Sequence, residues 1–235
     1  MKFLLSLSIL FLIACSCQMS VVQGSDNLVT KSYEFSDFTA IRVSSALYVE
    51  LIQSDDYKVM LECNENIEEF IDIENDDHEL MIGLSNNKSL SNTTINVKIY
   101  APEISLIEAS GASTIHFKHY EVDQLALHLS GASKITGSSD IDKQLDVESS
   151  GASSTKLSGS AFNVSLNYSG ASIFSGKALT IERKLIIDSS GASSIKTTAE
   201  GTIDIDASGA SSISYYGDGK ITSSETSGAV RVNHK

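Results

Sequence analysis

The chain divides by the rhythm of its apolar residues. From Pro102 onward a unit opening Ser-Gly-Ala recurs, with glycines at Gly111, Gly131, Gly151, Gly170, Gly191, Gly209 and Gly228, 18 to 21 residues apart. Four residues before the first six of these stand Ile107, Leu127, Val147, Leu166, Ile187 and Ile205, and six before most of them stand Leu125, Leu145, Val164, Leu185 and Ile203. Apolar residues two apart, with mostly polar ones between, predict a strand with one buried face. Four residues after the glycines, Ile115, Ile135, Thr155, Phe174, Ile195, Ile213 and Val232 resume an inward face. Each unit therefore reads as strand, tight corner, strand, and Gly137, Gly159, Gly176, Gly201 and Gly217 mark a further turn in most units.

A leucine-rich repeat would carry an asparagine ladder, a calcium-binding nonapeptide repeat would carry Gly-Gly-x-Gly-x-Asp, and a hexapeptide helix would keep multiples of six; none is present. The pattern predicts an all-β fold, a right-handed parallel β-helix of about seven short coils over residues 102–235. At roughly 4.8 Å per coil it would stand about 30 Å tall. The seven glycines are expected at corners where the backbone turns left-handed. The alanine after each is expected to face inward, and the flanking serines to bond turn backbone or the serine one coil above.

Residues 28–101 carry a different rhythm. Ile41–Val43, Leu47–Ile52, Lys58–Glu62, Leu80–Leu84 and Ile95–Tyr100 read as strands, and Asn66–Ile71 as a brief helix. This N-terminal β-rich region is expected to cap the open first coil, with the boundary at Ala101-Pro102, the only proline.

Export signals change the picture at the start. Met1-Lys2 followed by an apolar run to Ala14 has the charge and length of a signal peptide and is too short to span a bilayer. Its end, Leu12-Ile13-Ala14-Cys15, resembles a bacterial lipobox, which makes Cys15 the expected lipidation site and residues 15–27 a tether. Loss of residues 1–14 removes Lys2 and takes the net charge from −13 to −14. Nucleic acid is then a poor partner, and membrane attachment falls to the lipid. Of the three cysteines only Cys63 lies in the folded region, so no disulfide framework or metal spacing arises.

The stretch Phe35-Ser36-Asp37-Phe38-Thr39-Ala40-Ile41-Arg42-Val43 followed by serial Ser-Gly-Ala-Ser corners resembles the head GIN domain family, whose members carry the name putative autotransporter adhesin and are frequent among Bacteroidetes lipoproteins. The resemblance covers about residues 33–230 and implies an adhesin. Family members more often place an acid after the small corner residues; this chain keeps serine there, so no role of that acid transfers.

Many β-helices degrade polysaccharides with paired carboxylates. Asp140, Asp142, Asp146 and Glu148 lie in one coil, and Asp204 and Asp206 in another share an outward strand face, but units this short leave no loops for cleft walls, and a solvated acidic face is expected. His116 and His119, three apart, are expected on opposite strand faces, and neither they nor His128 form a metal or nucleophile motif. Among the aromatics Phe117, Tyr120, Tyr168, Tyr215 and Tyr216, the expected ligand contacts are Tyr168 and Tyr216. No catalytic residue, metal site or cofactor is expected.

The sequence thus predicts a non-catalytic, adhesin-like scaffold of the cell envelope, an outer-membrane lipoprotein that presents its β-helix to a protein or glycan, with homo-oligomers also allowed. The alternatives are a polysaccharide-active enzyme and a periplasmic partner in envelope sensing or assembly. Cys15→Ala is expected to abolish partition into a detergent phase, with product mass as the check; unchanged partition would rule out the lipid.

Overall fold

The computed structural model describes residues 21–85 and 89–235; the signal segment and Cys15 lie outside them. Nine strands precede the repeats: β1 (Val21–Gln23), β2 (Leu28–Tyr33), β3 (Ala40–Val43), β4 (Tyr48–Gln53), β5 (Lys58–Asn64), β6 (Ile71–Asp76), β7 (Glu79–Leu84), β8 (Ser89–Ser91) and β9 (Ile95–Ala101). A short 3-10 turn at Glu65–Phe70 takes the place of the expected helix. The repeats supply β10 (Leu106–Ala109), the long bent strands β11 (Thr114–Leu129), β12 (Lys134–Ser149), β13 (Ser154–Tyr168) and β14 (Ile173–Ser189), then β15 (Ser194–Ala199), β16 (Thr202–Ala207), β17 (Ser212–Tyr216), β18 (Lys220–Thr226) and β19 (Arg231–His234).

Every pairing among the repeats is parallel and in register, so that Ile107, Leu127, Val147, Leu166, Ile187 and Ile205 stack in one buried column. A second column of Ile115, Ile135, Thr155, Phe174, Ile195 and Ile213 faces it beyond the corner. The result is a parallel β-solenoid whose seven glycine corners bound six complete repeats, about six turns rather than seven coils. Register shifts interrupt the ladders between the long strands, at Phe117/Tyr120 and Val122/Gln124 between β11 and β12, at Ile141/Gln144 between β12 and β13, and at Lys156/Ser158 and Ala161/Asn163 between β13 and β14.

The ladder does not stop at Pro102. β3 pairs parallel with β10 and β4 with β11, so residues 40–53 form the first coil of the same solenoid. Its corner is Ser45, which holds φ at +70° without being glycine. β7 and β9 lie parallel beneath β3 and β4. Only β2, β5 and β6, all antiparallel to their neighbours, act as a cap. Cys63 is buried there with Val59 and Leu61, and desolvation pushes its thiol above the usual value.

Part of the expected tether is also docked. β1 pairs with β8, and two asparagines hold the chain around and beyond its end: Asn66 Nδ2 donates to Gln23 O at 2.8 Å and Asn64 Nδ2 to Ser25 O at 2.7 Å. Strand pairing, side-chain amides and the single apolar contact of Val22 hold this segment, which is too short to leave a periodic trace.

The corner itself differs from expectation in one respect. The seven glycines take φ between +69° and +83°. Each carbonyl of Gly111, Gly131, Gly151, Gly170, Gly191 and Gly209 accepts from the alanine N–H one coil on, at 2.7–2.8 Å. The alanine, however, is exposed, and the buried residue is the serine behind it: Ser113, Ser133, Ser153, Ser172, Ser193 and Ser211. In the last four the hydroxyl turns back to the carbonyl of the first serine of the motif, at 2.7–2.9 Å. Ser113 and Ser133 point inward in the same way without such a bond, so the inward parity belongs to the stacked corner, and it places the alanine on the rim.

A Cβ on Gly151 would lie 2.6 Å from the carbonyl oxygen of Gly131, in addition to the strain of its left-handed φ. Gly151→Ala should therefore lower stability by roughly 2–4 kcal/mol, whereas Ala152→Ser on the exposed rim should stay within about 0.5 kcal/mol. Paired denaturant titrations check this; equal midpoints would refute the stacked-corner account.

Candidate functional site

Stacking turns each position of the repeat into a straight column on the surface. On the run before the corner, Arg42, Glu108, His128, Glu148 and Asn167 occupy one outward column. They line a groove of about 500 Å³ together with the rim serines Ser110, Ser130, Ser150 and Ser169. Its charges answer one another: Arg42 reaches Glu79 at 3.0 Å and Glu108 at 2.8 Å, and His128 lies 3.4 Å from Glu108 and 4.0 Å from Glu148. Arg42 is the one lysine or arginine of this lining and is shared between Glu79 and Glu108, so the groove keeps a net acidic character.

The run after the corner is different. His116, Thr136, Lys156, Ser175 and Lys196 form one outward column across five coils. With Lys118, His119 and Lys177 they line a groove of about 410 Å³ whose lining includes no carboxylate. No ion pair engages Lys118, Lys156, Lys177 or Lys196 among the described residues. Instead Lys177 Nζ sits 4.6 Å from the centre of the Tyr216 ring, a cation–π contact that holds the ammonium at the groove edge. His116 and His119 share this groove rather than opposite faces. The backbone turns at His119, where φ is +50° and its N–H donates to Ser138 Oγ at 2.9 Å, so strand parity fails between them.

A third depression, of about 420 Å³, gathers Glu103, Glu121, Asp123, Asp140 and Asp142. Asp123 is bound by Lys143 at 2.6 Å, and Asp140 accepts from Ser160 Oγ at 2.7 Å. Asp204 accepts from Thr222 and pairs with Lys184 at 3.0 Å, which together hold its carboxyl below the usual range. Asp206 stands exposed beside it. A carboxyl kept ionised in this way is the wrong form for general-acid work.

Of the two tyrosines expected as ligand contacts, Tyr168 is wholly buried and packs edge-on against Phe174 at 5.9 Å. It stands two residues before its glycine, the same parity as the inward Leu166, and desolvation raises its phenol above the ordinary value. Phe117, Tyr120 and Tyr215 are core as well. Tyr216 is half-exposed and positions Lys177. The four groove lysines are not singled out by sequence motifs, although Lys156 and Lys196 stand five after their glycines, as does His116, and Lys118 and Lys177 stand seven after theirs.

The family model described as "Putative auto-transporter adhesin, head GIN domain" matches residues 37–219. The chain belongs to this family. None of the curated proteins gives a significant match. Among solved structures, this head GIN chain is similar to a putative adhesin of Bacteroides fragilis at 23% identity and TM-score 0.77, covering 91% of this chain and 99% of that one. A putative lipid binding protein of Parabacteroides distasonis follows at 18% and 0.73, with 92% and 100% covered. A putative adhesin of Parabacteroides merdae stands at 17% and 0.66, with 92% and 99% covered. At these identities the similarity establishes the fold. The matched span begins at Asp37, ahead of β3, so the family's own limits include the glycine-free first coil.

Truncation separates the two tyrosines. Tyr168→Ala in the head GIN core should cost about 3–5 kcal/mol, and Tyr216→Ala on the surface no more than about 1 kcal/mol. Thermal unfolding of both variants decides; a mild Tyr168 variant would mean that the corner column collapses to fill the space.

Proposed function

We propose that the chain is an exported, non-catalytic adhesin-like module that offers the flat runs of its solenoid to a protein or glycan. The observation that carries this reading is the form of its surface: three shallow depressions on in-register strands, whose acids are ion-paired, hydrogen-bonded or open to solvent rather than converging across a walled cleft. Family membership supports the adhesive class. Among the described residues no helix is long and apolar enough to cross a membrane; the lipobox-like Leu12-Ile13-Ala14-Cys15 assigns attachment to lipid on Cys15. Five residues, 16–20, separate that cysteine from β1, so a lipid there would keep the N-terminal cap near the bilayer.

Protease added to intact cells is expected to remove the protein, and cells lacking the gene are expected to be retained less on glycoprotein-coated surfaces; a protein shielded from protease cannot be an adhesin. The double variant Asp204→Asn/Asp206→Asn should keep the parental fold and retention. A glycan-degrading activity in the purified protein that this double change abolished would replace the binding reading with an enzymatic one.

A further inference from the structure

The lysine groove gathers four lysines that no ion pair engages among the described residues. Thirty acids against seventeen lysines and arginines would scatter carboxylates over any face by chance, yet the groove holds Lys118, Lys156, Lys177 and Lys196 with His116 and His119 and no acid. Their arrangement is linear. Lys156 and Lys196 are two coils apart in the same column, about 10 Å at the strand spacing, with Ser175 between them and Thr136 beyond. Hydroxyls of Ser138 and Ser158 line the same wall.

We propose that this groove binds a linear acidic polysaccharide, its carboxylates or sulfates on the lysines and its sugar hydroxyls on the serine and threonine hydroxyls between them. The inference rests on the adhesin-like reading and names the ligand class of one of its surfaces. Alternating cations and hydroxyls along a straight run match a polymer that repeats acid and hydroxyl along its length. A peptide would add main-chain bonds by joining a sheet edge, but the coils under the groove have given their backbone groups to the coils on either side. A bilayer surface would also meet the acidic faces around the groove in a protein of net charge −13, and Phe117 and Leu157, the large apolar side chains of the lining, are buried in the core.

The test uses the folded chain with polygalacturonate and dextran sulfate as probes, and with uncharged dextran, poly-glutamate and phosphatidylglycerol vesicles as competitors in class. Binding to at least one acidic polysaccharide, weakening as salt rises from about 50 to about 300 mM, is expected. Lys156→Glu/Lys196→Glu should weaken it at least about tenfold. Lys58→Glu/Lys220→Glu, which changes net charge equally on other faces, should weaken it less than about twofold. Circular dichroism and melting temperature of both variants verify the fold. Equal losses in the two variants would mean a diffuse charge effect and overturn the site. Stronger binding to poly-glutamate or vesicles than to polysaccharide would overturn the ligand class. Absence of binding to every polyanion, in a protein whose deletion still lowers cell retention, would sink the groove assignment and leave the adhesin reading standing; loss of both would remove the two together.

Discussion

The corner hydrogen bond governs this molecule. A glycine carbonyl in one coil receives the alanine N–H of the next, and the glycine that makes it leaves no room for a side chain because the oxygen of the coil below lies where a Cβ would be. Each corner is thereby placed directly above its predecessor. Every residue counted from that glycine then falls in a fixed column, inward or outward. Registry set at one point per coil is what lets aliphatic side chains meet their own kind along the axis and bury a continuous core.

Interior packing exploits the same registry. Where Phe117 fills the interior, the next coil supplies Gly137, and a Cβ there would lie 2.1 Å from the Phe117 ring. Such large–small alternation keeps the core near close packing, and in consequence aromatic residues in the repeats are mostly committed inward. The outside is left with short polar side chains and long charged ones.

Much of this is legible from spacing. The parallel stack, the corners and the inward columns follow from the glycine period and the parity of the residues around it. The first coil is hidden because its corner is Ser44-Ser45-Ala46, without glycine, and the composition shift at Pro102 masks its continuity with the repeats. Small size alone suggests an inward alanine, but the strand resumes with the second serine inward, in coils with the return bond and in coils without it alike. Tyr168 departs from expectation for the opposite reason: its parity points inward, while aromatic chemistry by itself suggests a surface contact. The docked segment 21–27 is held by a three-residue pairing with β8 and by Asn64 and Asn66, and contacts this few leave no periodic signal.

The basic groove is hidden for a reason particular to solenoids. Net charge is a sum over the chain, and a sum of −13 conceals how a repeat distributes its charges. Four lysines and two histidines spread over 81 residues look sparse when read along the sequence, from His116 to Lys196. Folded at about 20 residues per coil, the same side chains lie within a few strand spacings of one another. In a fold where sequence distance along the chain is nearly orthogonal to distance on the surface, function is carried by the residue that shares a column, and the informative alignment is of the chain with itself.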